Sequence, residues 1–316
     1  MEASDKTVEF WRNEYQKTIE NRRKELNFWD LPTADSMQRS IAFPNGMNGF
    51  TYAGPCLLSM NVQPGILKHG VSIGCGSGHK EVELLTSGLV EHMTLIEVVP
   101  DLIGAAKSIY ESWNLLDRVT FVLDDFQETL TSQQFDLIYF DNALHHMSGV
   151  ESLLRQCVTA LRPAGFFVMD DFVGPSYNQF SPEHYDYADR IRAMLPASAF
   201  VGENAVQPLG LLTVQDWLNA DPSEACDSAT ILPAIQALMP GARIIPTGGL
   251  VYYLACREAY GALTSFPDRD ESILRLLFEL DRVLVAADPS LTCYALAIWQ
   301  KPQLPSTSRG DHDVGT

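Results

Sequence analysis

Three scarcities bound this sequence. Basic residues are few: 22 Lys and Arg stand against 40 Asp and Glu, a formal net charge of −18. A nucleic-acid binder needs a basic footprint to neutralise phosphates, and this chain as a whole lacks one. Its Lys/Arg cluster, "NRRKE" at 21–25, reads as the solvated face of a charged helix. Long apolar runs are missing too. None reaches the length that spans a bilayer, and the opening residues "MEASDKTVEFWRNEYQK" carry no signal-peptide core or cleavage site. The expectation is a soluble, unexported, cytoplasmic protein with no membrane or nucleic-acid partner, a monomer or homodimer. Paired cysteines are the third lack. Cys56, Cys75, Cys157, Cys226, Cys256 and Cys293 are scattered, with no CxxC spacing. That argues for buried free thiols in a reducing compartment rather than a disulfide framework or a zinc site.

What is present is an alternation. The chain has 316 residues and is 46% hydrophobic, enough for a sizeable core. From residue 67, short apolar runs at 70–73, 93–98, 119–123, 135–140 and 165–169 alternate with helical patterns near 79–88, 101–115 and 150–161. Strand, helix, strand in repetition predicts right-handed crossovers, a mostly parallel sheet and a three-layer α/β fold. Residues 6–29 read as a charged helix with an aromatic stripe of Phe10, Trp11, Tyr15 and Ile19, ended by Pro32. After Asp171 the rhythm breaks into polar, aromatic, helical segments interrupted by Pro222 and Pro233, an insertion over the carboxyl end of the sheet. It then returns with "ARIIPTG", helices near 249–260 and 269–287, and a last strand "CYALAIWQK". The organisation expected is an N-terminal helical cap at 1–55, a Rossmann-like core at 56–175, an inserted helical lid at 176–240, a C-terminal part of the core at 241–302 and a disordered tail at 303–316.

The stretch "VSIGCGSGHKEVELL" at 71–85 sits at the first strand–helix turn. In an open parallel sheet this is where ligands bind. Glycines allow positive φ and close backbone approach, though ordinary tight turns use them as well. Glu97 ends the second apolar run, about twenty residues on, where a carboxylate can accept from both ribose hydroxyls. Asp125 and Phe126 follow the third run, suited to an exocyclic amine and a purine face. Together these residues predict an adenosine-binding constellation. A nicotinamide cofactor is the competitor. Its G-x-G-x-x-G fingerprint is not met, because the third glycine arrives one residue early at Gly78 and His79 holds the last position.

"VSIGCGSG", "LIEVVP", "VLDDF", "FDLIYFDNALHHM" and "LRPAGFFVMDDF" resemble, in order and spacing, the successive motifs of class I S-adenosylmethionine-dependent methyltransferases. The resemblance is strong over about 68–172 and resumes weakly at 242–302. "DFVGPS", "DPSEA" and "PTGGLVYYL" are similar to a bacterial branch associated with carbohydrate or other secondary biosynthesis. The resemblance implies S-adenosylmethionine as cofactor. Gly74, Cys75, Gly76 and Gly78 would then lie along its methionine part, Glu97 and Val98 at the ribose, Asp125 and Phe126 at the adenine, and Asn142 near the sulfonium. Glu97 replaces the commoner Asp, and the doubled acid Asp124-Asp125 leaves either able to make the adenine contact.

Methyl transfer to a hydroxyl benefits from a base, and imidazole suits it. His146, in "LHHM", is the candidate base or substrate contact, against the alternative of a structural hydrogen bond; His145 is expected to be structural. Asp171 is a second candidate base or substrate contact. No His or Cys spacing completes a zinc ligand set, so no metal is expected, with Mg²⁺ on Asp141, Asp170 and Asp171 the minor alternative. Tyr177, Phe180, Tyr185 and Tyr187 of the lid could pack or line an acceptor pocket. The function expected is methylation of a small-molecule acceptor, most of all O-methylation of a sugar or secondary metabolite. An NAD(P)-dependent oxidoreductase and a non-catalytic cofactor-binding subunit are the alternatives.

Overall fold

The computed structural model describes residues 5–20, 39, 41–123, 126–195, 209–210, 212–256 and 267–303. Seven strands form one sheet: β1 Leu67–Ile73, β2 Val90–Glu97, β3 Val119–Leu123, β4 Phe135–Asp141, β5 Leu161–Phe172, β6 Arg243–Gly249 and β7 Thr292–Gln300. Their order is β3-β2-β1-β4-β5-β7-β6. All neighbours from β3 to β5 are parallel, and β7 runs antiparallel between β5 and β6. The near-continuous apolar character of the central strands follows from burial on both faces. The strand order reverses at β1, which pairs with β2 on one side and β4 on the other, so a crevice opens above the ends of β1 and β4.

Helices cover both faces. On one, α2 Ala53–Ser59, α3 Glu81–Thr86 and α4 Pro100–Ser112 bury Leu57, Leu58, Leu84, Leu85 and Tyr110 against the sheet. On the other, α5 Phe126–Ser132 and α6 Val150–Ala160 pack with α9 Ile231–Leu238. Between α6 and α9 lie α7 Pro182–Met194 and α8 Val214–Ala220. Thus the last helix of the segment expected as a lid belongs to the flanking layer, its Ile231, Ala234 and Ile235 buried with Leu153 and Leu154 of α6. A third apolar cluster caps the edge of the sheet. It joins Ala188 and Ile191 of α7 to the turn at 250–256 and to Leu277 and Phe278 of α10 Pro267–Ala287.

Several boundaries differ from the sequence expectation. The helix expected near 249–260 is a single π-type turn, Val251–Ala255, wholly buried, and 257–260 lie outside the described residues. Continuous burial gives it the apolar run of a longer helix. β5 begins at Leu161 rather than 165, because its register against β4 shifts between Phe135 and Leu137 to absorb the Arg162–Gly165 bend. The N-terminal helix α1 runs Asp5–Glu20; the rest of the expected 6–29 helix, with Pro32, lies outside the described residues, as does the tail from 304. The six cysteines are all free, and four are buried. Among the described residues no helix is long and apolar enough to cross a membrane.

Candidate active site

The glycine loop follows β1 directly. The Gly74 and Cys75 N–H groups donate to the Ile96 carbonyl at 2.9 and 3.1 Å, tying the loop to β2. Gly74, Gly76 and Gly78 all adopt positive φ, at +69°, +56° and +67°. Their surroundings separate them. A Cβ on Gly74 would meet the Ala143 Cβ at 2.9 Å, and one on Gly78 would meet Leu95 at 3.0 Å and Tyr110 at 3.2 Å. A Cβ on Gly76 meets nothing within 4 Å. Two glycines therefore serve packing, while Gly76 presents bare backbone to open space, a cradle that a side chain would fill.

Glu97 ends β2 beneath this loop. Its Oε2 accepts from the Gly76 N–H at 2.9 Å, and its Oε1 accepts from the Val98 and Val99 N–H groups at 2.8 and 3.0 Å. Burial pushes its carboxyl up, and the three N–H donors oppose that. With about four acceptor positions on the carboxylate, capacity remains for a further donor. Phe126 opens α5 half-buried; Asp124 and Asp125 lie outside the described residues. The Cys75 thiol is held well above its usual range by burial, so it is no nucleophile at neutral pH. Asn142, at the end of β4, takes the left-handed conformation at φ +51° and donates its N–H to the Asp170 carbonyl at 2.8 Å.

Beyond the loop lies a cavity of about 610 Å³. One end is ionic. Lys80 is ion-paired with Asp141, which also accepts from the Tyr139 hydroxyl at 2.7 Å. Asp141 and Asp170 are directly paired across β4 and β5. Burial and the neighbouring Asp141 push the Asp170 carboxyl up to about 8, despite Lys80 and Arg39 nearby. Asp171 points to the opposite face, as strand alternation requires. It is fully buried, accepting from the Ala143 and Leu144 N–H groups at 2.9 and 2.7 Å and bonding the His145 ring at Nδ1, 2.5 Å away. The three aspartates considered for Mg²⁺ therefore do not converge.

The other end of the cavity holds His145 and His146, both on the 3-10 turn Leu144–His146. The rings lie 3.9 Å apart, tilted by 43°. Burial alone would lower the His145 pKa, but Asp171 raises it. Burial and the neighbouring His145 hold His146 well below its usual range. His146 Nδ1 lies 3.2 Å from the Ser223 hydroxyl, its Nε2 3.9 Å from Glu224, and the Trp11 ring of α1 meets it edge-on at 4.9 Å. Arg12, the next residue, pairs with Asp101 in the first turn of α4, so α1 bridges the crevice from one side to the other. Aromatic walls come from Trp11, Tyr52, Tyr253 and Tyr294. The lid aromatics singled out in the sequence sit elsewhere: Phe180 and Tyr185 pack in the capping cluster, and Tyr187 is exposed against Arg190.

Sequence reasoning missed Lys80, Arg39, Asp221, Ser223 and Glu224. Lys80 stood in the quoted loop, read there only as a helix start. Asp221, Ser223 and Glu224 fall within one stretch, "DPSEA", whose density of side-chain oxygens after a helix end was the available signal.

Residues 69–216 match the family described as methyltransferase domain. The strand order and the glycine turn after β1 fit the Rossmann-like fold of class I S-adenosylmethionine-dependent methyltransferases. The chain is similar to 27-O-demethylrifamycin SV methyltransferase of Amycolatopsis mediterranei, 29% identical over 33% of this chain and 38% of that one. It is also similar to the ubiquinone biosynthesis O-methyltransferase of Coxiella burnetii, 28% identical over 40% of this chain and 58% of that one. The match thus spans less than two thirds of these relatives' lengths. Among solved structures, an O-methyltransferase family protein from Burkholderia thailandensis aligns with a TM-score of 0.44 and 11% identity, over 94% of this chain and 70% of that one.

Proposed function

We propose that the protein transfers the methyl group of S-adenosylmethionine to a hydroxyl oxygen of a small molecule, a sugar or secondary metabolite, seated in the cavity. The observation that carries this reading is continuity. Lys80 and Asn142, at the rim of the cofactor loop, line the same cavity as His145, His146 and Glu224. A group held at the end of the loop and an acceptor beside the histidines would therefore share one space. O-methylation is supported by the proton-accepting character of that end and by two relatives named for O-methyl chemistry.

The bound cofactor supplies a methyl group on a sulfonium, a good leaving group, so the protein's task is alignment and shielding. Gly76 admits the cofactor to the backbone, and the spare acceptor capacity of Glu97 faces the ribose. Val98 fixes Glu97 through its N–H. Gly74, Cys75 and Gly78 shape the loop, Phe126 stands at the adenine end, and Asn142 stands at the sulfonium end. Asp171 acts through His145 as a positioning residue: it takes the Nδ1 side of the ring and leaves Nε2 for the cavity. His146 faces the same space, and the acceptor hydroxyl loses its proton at this end. Trp11 closes the cavity above His146. The test incubates the full chain with methyl-labelled cofactor and a metabolite extract, then reads labelled products by mass spectrometry. Labelled methyl ethers, absent with Glu97→Ala, are expected; no labelled product from any extract would overturn the reading.

A further inference from the structure

The two histidines have a third neighbour that sequence spacing hides. Donor atoms of His145, His146 and Glu224 all lie within 4.8 Å of one another. Glu224 arrives from 78 residues beyond His146, carried back by the segment between α8 and α9. Every one of the three has a second partner behind it. His145 Nδ1 is committed to Asp171. His146 Nδ1 faces the Ser223 hydroxyl at 3.2 Å and Asp221 Oδ2 at 3.8 Å. Glu224 Oε1 accepts from the Asn178 amide at 3.4 Å, and Asn178 is itself held by the Tyr253 hydroxyl at 2.7 Å. With both Nδ1 atoms so engaged, the two Nε2 atoms are left to face Glu224 and the cavity.

We propose that His145, His146 and Glu224 bind a divalent first-row transition metal ion, Zn²⁺ foremost, with an open coordination position toward the acceptor. Two imidazoles and one carboxylate with a free position are the donor set of a catalytic zinc site. The outer partners are those such a site uses: a carboxylate or hydroxyl on the far nitrogen of each ring fixes its tautomer and raises its basicity. Asp221 adds an independent sign. It is buried, and its Oδ2 has no hydrogen-bond partner among the described residues although it points at His146. A metal ion on Nε2 would draw the His146 Nδ1–H toward that orphaned oxygen. The backbone is also strained here, with Asn178 and Ala225 both left-handed at φ +54° and +50°. Donors around tetrahedral zinc stand roughly 3.4 Å apart. The three side chains need to close by about an ångström, which rotation of the half-buried Glu224 can supply.

The ion's role, though not its binding, rests on the O-methylation reading. Coordinated by the open position, the acceptor hydroxyl ionises and its proton passes to water in the cavity. Its oxygen forms the new bond to the methyl carbon as the carbon–sulfur bond breaks, and the electron pair stays on sulfur. The full chain, stripped of metal by a chelator, is titrated with Co²⁺ by visible absorption and with Zn²⁺ by calorimetry. One ion per chain is expected, with ligand-field bands for Co²⁺. Glu224→Ala and the milder Glu224→Gln should weaken binding roughly a hundredfold or more, and Asp171→Asn about tenfold. Calorimetry with S-adenosylhomocysteine shows that the variants remain folded around their cofactor site. No saturable binding, or binding undiminished in both Glu224 variants, would overturn the site. A stoichiometric metal protein that methylates nothing keeps the site and refutes the reaction.

Discussion

The three glycines of the turn after β1 should separate cleanly when each is changed to alanine. All three sit at positive φ, where an L-residue is strained by about 1–2 kcal/mol. For Gly76 that strain is the whole cost, since its Cβ meets nothing within 4 Å. A loss near 1 kcal/mol lowers Tm by about 2–3 °C in a chain of this size. At Gly78 the new methyl lies 3.0 Å from Leu95 and 3.2 Å from Tyr110, both fully buried, and overpacking adds about 1–3 kcal/mol. Gly74→Ala faces Ala143 at 2.9 Å and should suffer similarly. Cofactor binding should run the other way. The Gly76→Ala methyl projects into open space beside the turn and, on the proposed cofactor placement, should weaken S-adenosylmethionine at least tenfold, about 1.4 kcal/mol, and Gly76→Val should abolish binding. Thermal melts and calorimetry on the three proteins decide it. A Gly76→Ala protein that binds cofactor normally would show an ordinary turn and refute the reasoning.

Three further outcomes are expected. Glu97→Ala should weaken cofactor binding at least tenfold by calorimetry, and it should also lower Tm, because the Gly76, Val98 and Val99 N–H groups lose their acceptor; Glu97→Gln should recover only the part carried by one oxygen, since its NH2 group must face an N–H donor. Glu81, buried beneath the loop and accepting from the Ser72 hydroxyl at 2.6 Å, is raised by burial from 4.5 to about 7. A raised folded pKa gives stability that is complete below the unfolded pKa and is lost as pH climbs through 7, by roughly 3 kcal/mol. Glu81→Gln should therefore gain in Tm over the native protein between pH 5 and 8, and a pH-independent difference would contradict this. His146→Ala should lower kcat roughly a hundredfold while leaving cofactor affinity nearly unchanged, measured by labelled-methyl turnover beside calorimetry.

What the sequence made legible was local. Gly74–Gly78 and Glu97 belong to strand ends, and strand ends are visible as breaks in apolar runs; the sheet and its crossovers follow from the same breaks. What escaped depends on the third dimension. Asp170 and Asp171 look alike in the sequence, yet alternation sends one to the ionic end of the cavity and the other behind His145. Glu224 and Asp221 meet the histidines only because the chain returns over β4 after α8. The turn at 251–255 imitates a longer helix because burial from all sides erases its period.

The central claim is that this crevice binds S-adenosylmethionine and not a dinucleotide. Calorimetric titration of the full chain with S-adenosylhomocysteine, beside a parallel titration with NADH, tests it most directly. The account predicts one saturable site for the first ligand, weakened at least tenfold by Glu97→Ala, and no comparable site for the second. Absence of saturable S-adenosylhomocysteine binding, or tighter binding of NADH, would contradict it.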